Sequence, residues 1–189
     1  MRFPGRELDE LLGAQLPTDH ARQTLADHYI ERELGRVAGQ PWRVLDLGCG
    51  AGASVDQFRA RDASVQWVGL DLPDSREARS RRRTDARFET FDGMSIPFED
   101  ASFDFVYCKQ VLEHVRHPGP LLAEVRRVLG TSGYLAGSTS QLEPFHSLSM
   151  WNYTPVGFCA LLSEAGLEAL GNNLFLETPA SGQPITGRP

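Results

Sequence analysis

The sequence predicts an α/β fold whose mostly parallel sheet carries helices on both faces. Short apolar runs alternate with stretches of helical spacing from about residue 42 onward, and this alternation requires crossover connections between parallel strands. A glycine-rich turn follows the first apolar run, and the next two runs each end on an acid. Because ligands bind beyond the carboxyl ends of parallel strands, these features predict one shared pocket.

The predicted strands are short apolar runs, most of them bounded by glycine or by polar residues. The first run leads into the glycine turn, and the second ends on Asp71. The third alternates apolar and polar residues, as a half-buried strand does. In chain order we predict strands over residues 42–47, 65–71, 87–92, 103–108 and 133–139, with a last one over about 167–176.

The helices are predicted from apolar residues three and four positions apart, and from residues that cap or end a helix. Residues 7–39 have this spacing. Thr154 and Pro155 suit the cap and the first position of a helix that Gly166 closes. Residues 74–83 are too polar and basic to form more than a poor helix. The other predicted helices are 53–61, 118–129 and 155–165.

The length of 189 residues and an ordinary composition predict a single globular domain. We assign residues 1–176 to this domain, with N-terminal helices over 1–40 and a core over 42–176. Residues 177–189 are rich in proline and glycine, so we expect a disordered tail there.

Composition also narrows the partners and the location. The net charge of -6 argues against nucleic acid as the main partner. No apolar run approaches the ~18 residues that span a bilayer, and the first residues lack the apolar core of a secretion signal. The three cysteines are far apart and odd in number, so we expect a cytoplasmic protein with neither a disulfide framework nor a metal site.

The turn after the first strand reads VLDLGCGAGAS over residues 44–54, and its glycines let the backbone approach a ligand closely. A phosphate-binding loop would need a lysine after the glycines, and none is present. A dinucleotide fits the glycine spacing and the acid Asp71, but Asp46 would repel its pyrophosphate. The third option is S-adenosylmethionine, a nucleoside with an ammonium and a sulfonium but no phosphate, which suits an acid at residue 46.

The acids at the ends of the second and third strands could also contact S-adenosylmethionine. Asp71 can accept both ribose hydroxyls, because a carboxylate offers two oxygens. Asp92 can accept from the exocyclic amine of adenine, while the Met94 backbone N–H donates to the ring. Met94 or Ile96 can pack on the face of the ring.

Four segments resemble, in order and at the usual spacing, the motifs of class I S-adenosylmethionine-dependent methyltransferases, and of the type 11 domain in particular. They read VLDLGCGAG, VGLDL, FDGMSIPFEDASFDFVYCKQVLEHV and RRVLGTSGYLAGST, and the resemblance covers about residues 42–170. It implies a Rossmann-like sheet, S-adenosylmethionine as cofactor and transfer of its methyl group. It also implies cofactor contacts at Asp46, Gly48, Gly50, Asp71, Leu72, Asp92, Gly93, Met94 and Gln110.

Methyl transfer by direct displacement needs alignment of the acceptor and, for some acceptors, a base. His114, which follows the fourth strand, is a candidate because histidine titrates near neutral pH. We interpret the aromatic loop over residues 142–155 as the wall of a small-molecule acceptor pocket, where His146 or Tyr153 would hydrogen-bond the acceptor. The alternative is structural: His114 would bond a neighbouring loop, and Tyr153 would fasten the next helix to the sheet.

One departure from the family pattern concerns the sheet edge. The full fold has a seventh, antiparallel strand between the fifth and sixth, and residues 177–189 show no strand pattern. We therefore expect a sheet that lacks a regular seventh strand and has an open edge, which favours a homodimer. The missing strand also keeps a second interpretation open, a non-catalytic module that binds the cofactor or a partner. A nicotinamide-dependent oxidoreductase is the third, and Asp46 argues against it.

A basic cluster of six arginines follows the second strand. We interpret it as a solvated loop, with a site for a phosphate-bearing substrate or a partner as the alternative. Because the chain is acidic and no aromatic residues are interleaved, the cluster does not indicate a nucleic-acid site. Its members are Arg76, Arg79, Arg81, Arg82, Arg83 and Arg87.

Overall fold

The computed structural model describes residues 40–139, 148–169 and 183–188, the last range as a backbone strand only. These residues form seven strands, four α-helices and one short 3₁₀ helix. In chain order they are β1 (Arg43–Leu47), α1 (Ser54–Arg61), β2 (Gln66–Asp71), α2 (Arg76–Ser80), β3 (Arg87–Thr90), β4 (Phe103–Lys109), the 3₁₀ helix (Leu112–His114), α3 (Pro118–Val128), β5 (Leu129–Thr139), α4 (Pro155–Glu164), β6 (Glu168–Ala169) and β7 (Gln183–Arg188).

The predicted alternation of strands and helices is confirmed from β1 to α4. Residues 74–83 form only the five-residue helix α2, in keeping with their polar composition. The Thr154 side chain caps α4 as predicted, because its Oγ1 accepts a hydrogen bond from the Gly157 N–H at 3.1 Å. The predicted helix over 7–39 lies outside the described residues, and so does the last predicted strand beyond residue 169.

The strands form one sheet in the order β3-β2-β1-β4-β5-β7-β6. Strands β1 to β5 are all parallel, which confirms the predicted Rossmann-like core. The chain moves outward from β1 to β3 and then returns to place β4 on the other side of β1. At such a switch point successive loops diverge, which leaves room for a ligand beyond the carboxyl ends of β1 and β4.

At residues 183–188 the structure differs from the expected absence of a regular seventh strand. These residues form β7, which pairs antiparallel with β5 from Leu135 to Thr139 and with the two-residue β6. Proline argued against a strand because it has no N–H to donate. Within the described residues β6 pairs only with Gly187 and Arg188. Pro184 therefore lies in the part of β7 that has a strand neighbour on the β5 side alone. Since β7 covers that flank of β5, the open edge that suggested a homodimer is absent there.

Side chains of the strands alternate between two apolar layers, one on each face of the sheet. In β1, Leu45 and Leu47 belong to the layer that includes residues of α3 and α4. Val44 belongs to the other layer, together with Phe58 of α1. None of these four side chains has exposed surface, and burying each contributes about 1.5–3 kcal/mol. The strand that leads into the glycine turn is therefore held firmly from both faces.

Two kinds of feature are absent from the part of the chain that the structure describes. None of their helices combines the length and the apolar character that crossing a membrane requires. Among the same residues, no group of three or more His, Cys, Asp or Glu side chains is arranged to hold a metal ion.

Candidate cofactor site

The glycine turn leaves β1 and bends sharply beside the end of β2. Gly48 and Gly50 have φ values of 72° and 52°, in the left-handed region that glycine adopts without strain. The Gly48 N–H donates to the Leu70 carbonyl at 2.8 Å, which ties the turn to β2. A Cβ on Gly48 would lie 2.3 Å from Val111 Cγ2, so the turn also packs closely against the segment after β4. Only glycine meets both conditions at residue 48.

Asp71 ends β2 and faces the turn. Its side chain is 8% exposed, and its two oxygens accept backbone N–H groups from Gly50 and Leu72, each at 2.7 Å. Each carboxylate oxygen has a second lone pair. Asp71 is therefore fixed in orientation and can still accept two hydroxyl groups from a bound molecule.

Asp46 lies in β1, two residues before the first glycine, and is 4% exposed. The Ser54 hydroxyl donates to its Oδ2, and the Trp67 indole N–H donates in turn to Ser54 Oγ at 3.1 Å. Burial raises the pKa of Asp46 to about 7 against the lowering effect of Ser54, and the negative charge of Asp71 raises it further. A carboxyl group in this state ionises readily when a cation comes near it.

The segments after β2 and β3 present apolar surface beside this turn. Leu72 and Met94 are 42% and 50% exposed, and a Cβ on Gly93 would lie 3.2 Å from Leu72 Cδ2. Asp92 accepts the N–H groups of Ser95 at 2.7 Å and Met94 at 2.8 Å, and these bonds lower its pKa. The Met94 N–H that we predicted as a donor to the adenine ring is thus occupied by Asp92, an arrangement typical of an Asx turn.

The segment after β4 closes the site next to the glycine turn. Gln110 has a φ of 55°, its N–H donates to the Ser138 carbonyl at 2.7 Å, and its amide donates to Ser138 Oγ at 3.2 Å. His114 is half-buried in the 3₁₀ helix. Glu113 beside it is fully buried and accepts the Thr139 hydroxyl at 2.9 Å. The structure thus places Gln110 at the predicted edge, and His114 follows it within the same short segment.

Tyr153, which we predicted as a catalytic candidate that would hydrogen-bond the acceptor, has a partner for its hydroxyl within the fold. Its side chain is 8% exposed, and its hydroxyl donates to the Leu112 carbonyl at 2.9 Å. Burial, with the nearby charge of Glu113, raises its pKa well above the ordinary value, so the phenol would be a poor base. These contacts favour the structural alternative for Tyr153. His146 lies outside the described residues.

The described part of the predicted acceptor wall is fastened to the 3₁₀ segment. Met150 and Trp151 donate their backbone N–H groups to the Glu113 carbonyl at 2.7 and 3.2 Å, and the Trp151 indole donates to the Val115 carbonyl at 2.7 Å. A cleft of about 500 Å³ lies beside these residues, bordered by Arg116 and His117. The exposed Trp151 ring lines the same cleft.

Sequence reasoning missed two residues that shape the site. Ser54 stood in the glycine segment but received no role, although a hydroxyl at the start of a helix beside a buried acid is a usable signal. Arg81 donates to the Gly50 carbonyl, and no local pattern singles it out from its neighbours. Three more members of the arginine cluster pair with acids at the protein surface: Arg79 with Asp74, Arg83 with Asp56 and Arg87 with Glu89. These pairs favour the solvated-loop interpretation over a phosphate site.

Comparison with known proteins agrees with this geometry. A family model described as a methyltransferase domain of type 11 matches residues 45–137. An uncharacterized 37.1 kDa protein in a transposon of Streptomyces fradiae is 38% identical over 96 residues, which is 48% of this chain and 28% of that protein. The malonyl-[acyl-carrier protein] O-methyltransferase of Legionella pneumophila is 30% identical over 112 residues, which is 57% of this chain and 39% of that enzyme.

A solved structure shows the same fold. It is the Burkholderia thailandensis 1,6-didemethyltoxoflavin-N1-methyltransferase with bound 1,6-didemethyltoxoflavin and S-adenosylhomocysteine. The TM-score is 0.66 at 21% identity, over 86% of this chain and 76% of that one. The chain spans well under half the length of the two curated relatives named above.

Proposed function

We propose that the protein transfers a methyl group to a small-molecule acceptor by direct displacement, because residues 45–137 match the model of a type 11 methyltransferase domain. One observation carries the proposal: two buried carboxylates, Asp46 and Asp71, flank a turn of left-handed glycines. These two acidic groups suit a nucleoside that carries positive charge, and they would repel a pyrophosphate. The relatives named as methyltransferases do not favour a non-catalytic module.

The residues present fit the cofactor at three places. Asp71 would accept the two ribose hydroxyls, because each of its oxygens has a lone pair left after the bonds from Gly50 and Leu72. Leu72 and Met94 offer exposed apolar side chains for the adenine ring. Asp46 would balance the cationic methionine end, and ionisation of Asp46 is then favoured by the ligand's charge.

When bound, S-adenosylmethionine supplies an electrophilic methyl group on a sulfonium. The protein's part is then to align an acceptor oxygen or nitrogen with that methyl group, which contributes about 7–11 kcal/mol where the fit is good. We propose His114 as the group that takes a proton from the acceptor, a role worth roughly 10²–10⁴ in rate. The wall segment that includes Trp151 would border the acceptor and exclude water from it.

The proposal extends to location and partners. Three free cysteines fit a reducing compartment, so we place the protein in the cytoplasm. The names of the relatives include oxygen and ring-nitrogen methyltransferases, so an acceptor screen would begin with carboxyl, phenol and ring-nitrogen compounds. Self-association remains a proposal that a solution mass would test.

Calorimetric titration with S-adenosylmethionine and, separately, with NAD⁺ tests the cofactor assignment. We expect micromolar binding of the first and none of the second, with binding lost in Asp71→Ala. The matched control is Asp74→Ala, which removes an acid on the same connection whose side chain is 83% exposed. Binding of NAD⁺, or an equal loss in both variants, would contradict the proposal. Release of S-adenosylhomocysteine that depends on an added acceptor would then distinguish an enzyme from a binding module.

A further inference from the structure

Arg81 follows α2 and supports the glycine turn through several contacts at once. Its Nε and Nη2 donate to the Gly50 carbonyl at 2.9 and 2.7 Å, and Nη2 also lies 3.4 Å from Cys49 Sγ. The guanidinium carbon lies 3.8 Å from the centre of the Phe88 ring. Two donors on one carbonyl combined with stacking on an aromatic face is a geometry that arginine provides and lysine does not.

Arg81 and Asp71 hold the two polar groups of the same glycine. Asp71 Oδ2 accepts the Gly50 N–H at 2.7 Å, and Arg81 holds the Gly50 carbonyl. A glycine at φ 52° has wide conformational freedom of its own, so these outside contacts fix its orientation. Loss of the bonds from Arg81 would therefore affect the orientation of Asp71 through the backbone of Gly50.

The surroundings of Arg81 make it part of a packed support. A Cβ on Gly52 would lie 2.6 Å from Phe88 Cζ, so the turn rests against the same ring on which Arg81 stacks. Phe88 is itself held edge-to-face by Trp67 at 5.4 Å. Two residues further on, Arg83 pairs with Asp56 of α1 at 2.5 Å. The connection after α2 therefore joins the turn to β3 and to α1.

We propose that Arg81 is a positioning residue for the cofactor site: by holding the Gly50 carbonyl it keeps the Gly50 N–H on Asp71, and so keeps the Asp71 carboxylate oriented toward the ribose hydroxyls. Arg81 does not itself contact the cofactor in this scheme. The inference rests on the proposed function, because it concerns the affinity for S-adenosylmethionine. It assigns a specific role to one member of the arginine cluster.

A double-mutant cycle measured by calorimetry with S-adenosylmethionine tests this coupling. Arg81→Met should weaken binding about tenfold, the loss typical of a hydrogen bond to a charged group. In an Asp71→Asn background the same change should weaken binding less than about twofold, because the group that Arg81 orients is already impaired. Arg81→Lys keeps the charge and one donor, and should lose about threefold. The matched control is Arg82→Met, which removes an exposed arginine from the next residue and should bind as the wild type does.

The outcomes separate this inference from the proposed function. No binding by the wild type would overturn the proposed function and this inference with it. Wild-type binding that Arg81→Met leaves unchanged would overturn this inference alone. Equal losses in both Asp71 backgrounds would show that Arg81 affects binding independently of Asp71, and would overturn the coupling. If Arg81→Met fails to fold, the same cycle run with Arg81→Lys decides between these results.

Discussion

Replacing Asp46 by asparagine keeps the shape of this buried side chain and removes its ionisation. The side chain is 4% exposed, and burial raises its pKa from 3.8 to about 7. Between these values the folded protein holds a proton that the unfolded chain has released. The free energy of unfolding contributed by Asp46 therefore falls as the pH rises from about 4 to about 7, and it is level above that. In Asp46→Asn this residue does not titrate, so it contributes no such fall in the free energy of unfolding.

The size of the effect follows from the folded-state pKa. One pKa unit corresponds to about 1.36 kcal/mol. A move from about pH 5.5 to about pH 8.5 covers about 1.5 units below the folded-state value, so the wild type should lose about 2 kcal/mol more than Asp46→Asn. The other titrating groups are common to both proteins and cancel in the difference.

Urea unfolding of both ligand-free proteins at these two pH values gives the comparison directly. The free energy of unfolding of the wild type, relative to that of Asp46→Asn, should fall by about 2 kcal/mol from the lower to the higher pH. A second variant, Ser54→Ala, removes the hydroxyl whose hydrogen bond lowers the pKa of Asp46, so its stability should keep falling to higher pH than that of the wild type. A gap that is constant within about 0.5 kcal/mol across the interval would refute the assignment of Asp46 as a buried acid with a raised pKa.

Three further predictions concern the affinity for S-adenosylmethionine and two side chains that bond main-chain carbonyls. Affinity for S-adenosylmethionine should rise up to about tenfold between about pH 6 and pH 8 as Asp46 ionises, and a pH-independent affinity would contradict this. Tyr153→Phe should lower the free energy of unfolding by about 1 kcal/mol, since it loses only the bond to Leu112; loss of turnover in a folded variant would restore Tyr153 as a catalytic candidate. Arg127→Met should lose about 1–3 kcal/mol of stability, because Arg127 donates to the Phe98 and Ile96 carbonyls at 2.8 and 2.9 Å. Urea denaturation checks both stability changes, and an unaltered midpoint for Arg127→Met would show that these bonds add nothing.

The parallel core could be predicted because its signals are local. Strands β1, β2 and β4 are short apolar runs that the sequence shows directly, whereas β5 begins at Leu129, before its predicted start. The acids Asp46 and Asp71 stand at fixed positions relative to the glycines. Parallel strands then bring their carboxyl ends together whatever the connections are. The site therefore followed from strand polarity and a few residue types.

Other features depend on contacts between distant residues, which no local pattern encodes. Tyr153 bonds a carbonyl 41 residues away, and Arg81 reaches a carbonyl 31 residues away. The strand β7 was missed because proline and glycine lower strand propensity, while its pairing with β5 is a tertiary effect that overrides propensity. Aromatic residues in a connection could equally have lined a pocket or fastened a helix.

The attachment of the wall segment has a consequence for how acceptor preference can change. Met150, Trp151 and Tyr153 all donate hydrogen bonds to main-chain carbonyls of residues 112–115. The acceptors of these bonds are backbone atoms, so they do not depend on side-chain identity. These bonds would therefore survive substitution of Val115, whose carbonyl accepts the Trp151 indole N–H, whereas Leu112 and Glu113 are fully buried and His114 is the proposed base. Mutational libraries aimed at new acceptors should vary Val115 and the exposed side chain of Met150, and keep residues 112–114 and the tryptophan and tyrosine of the wall fixed.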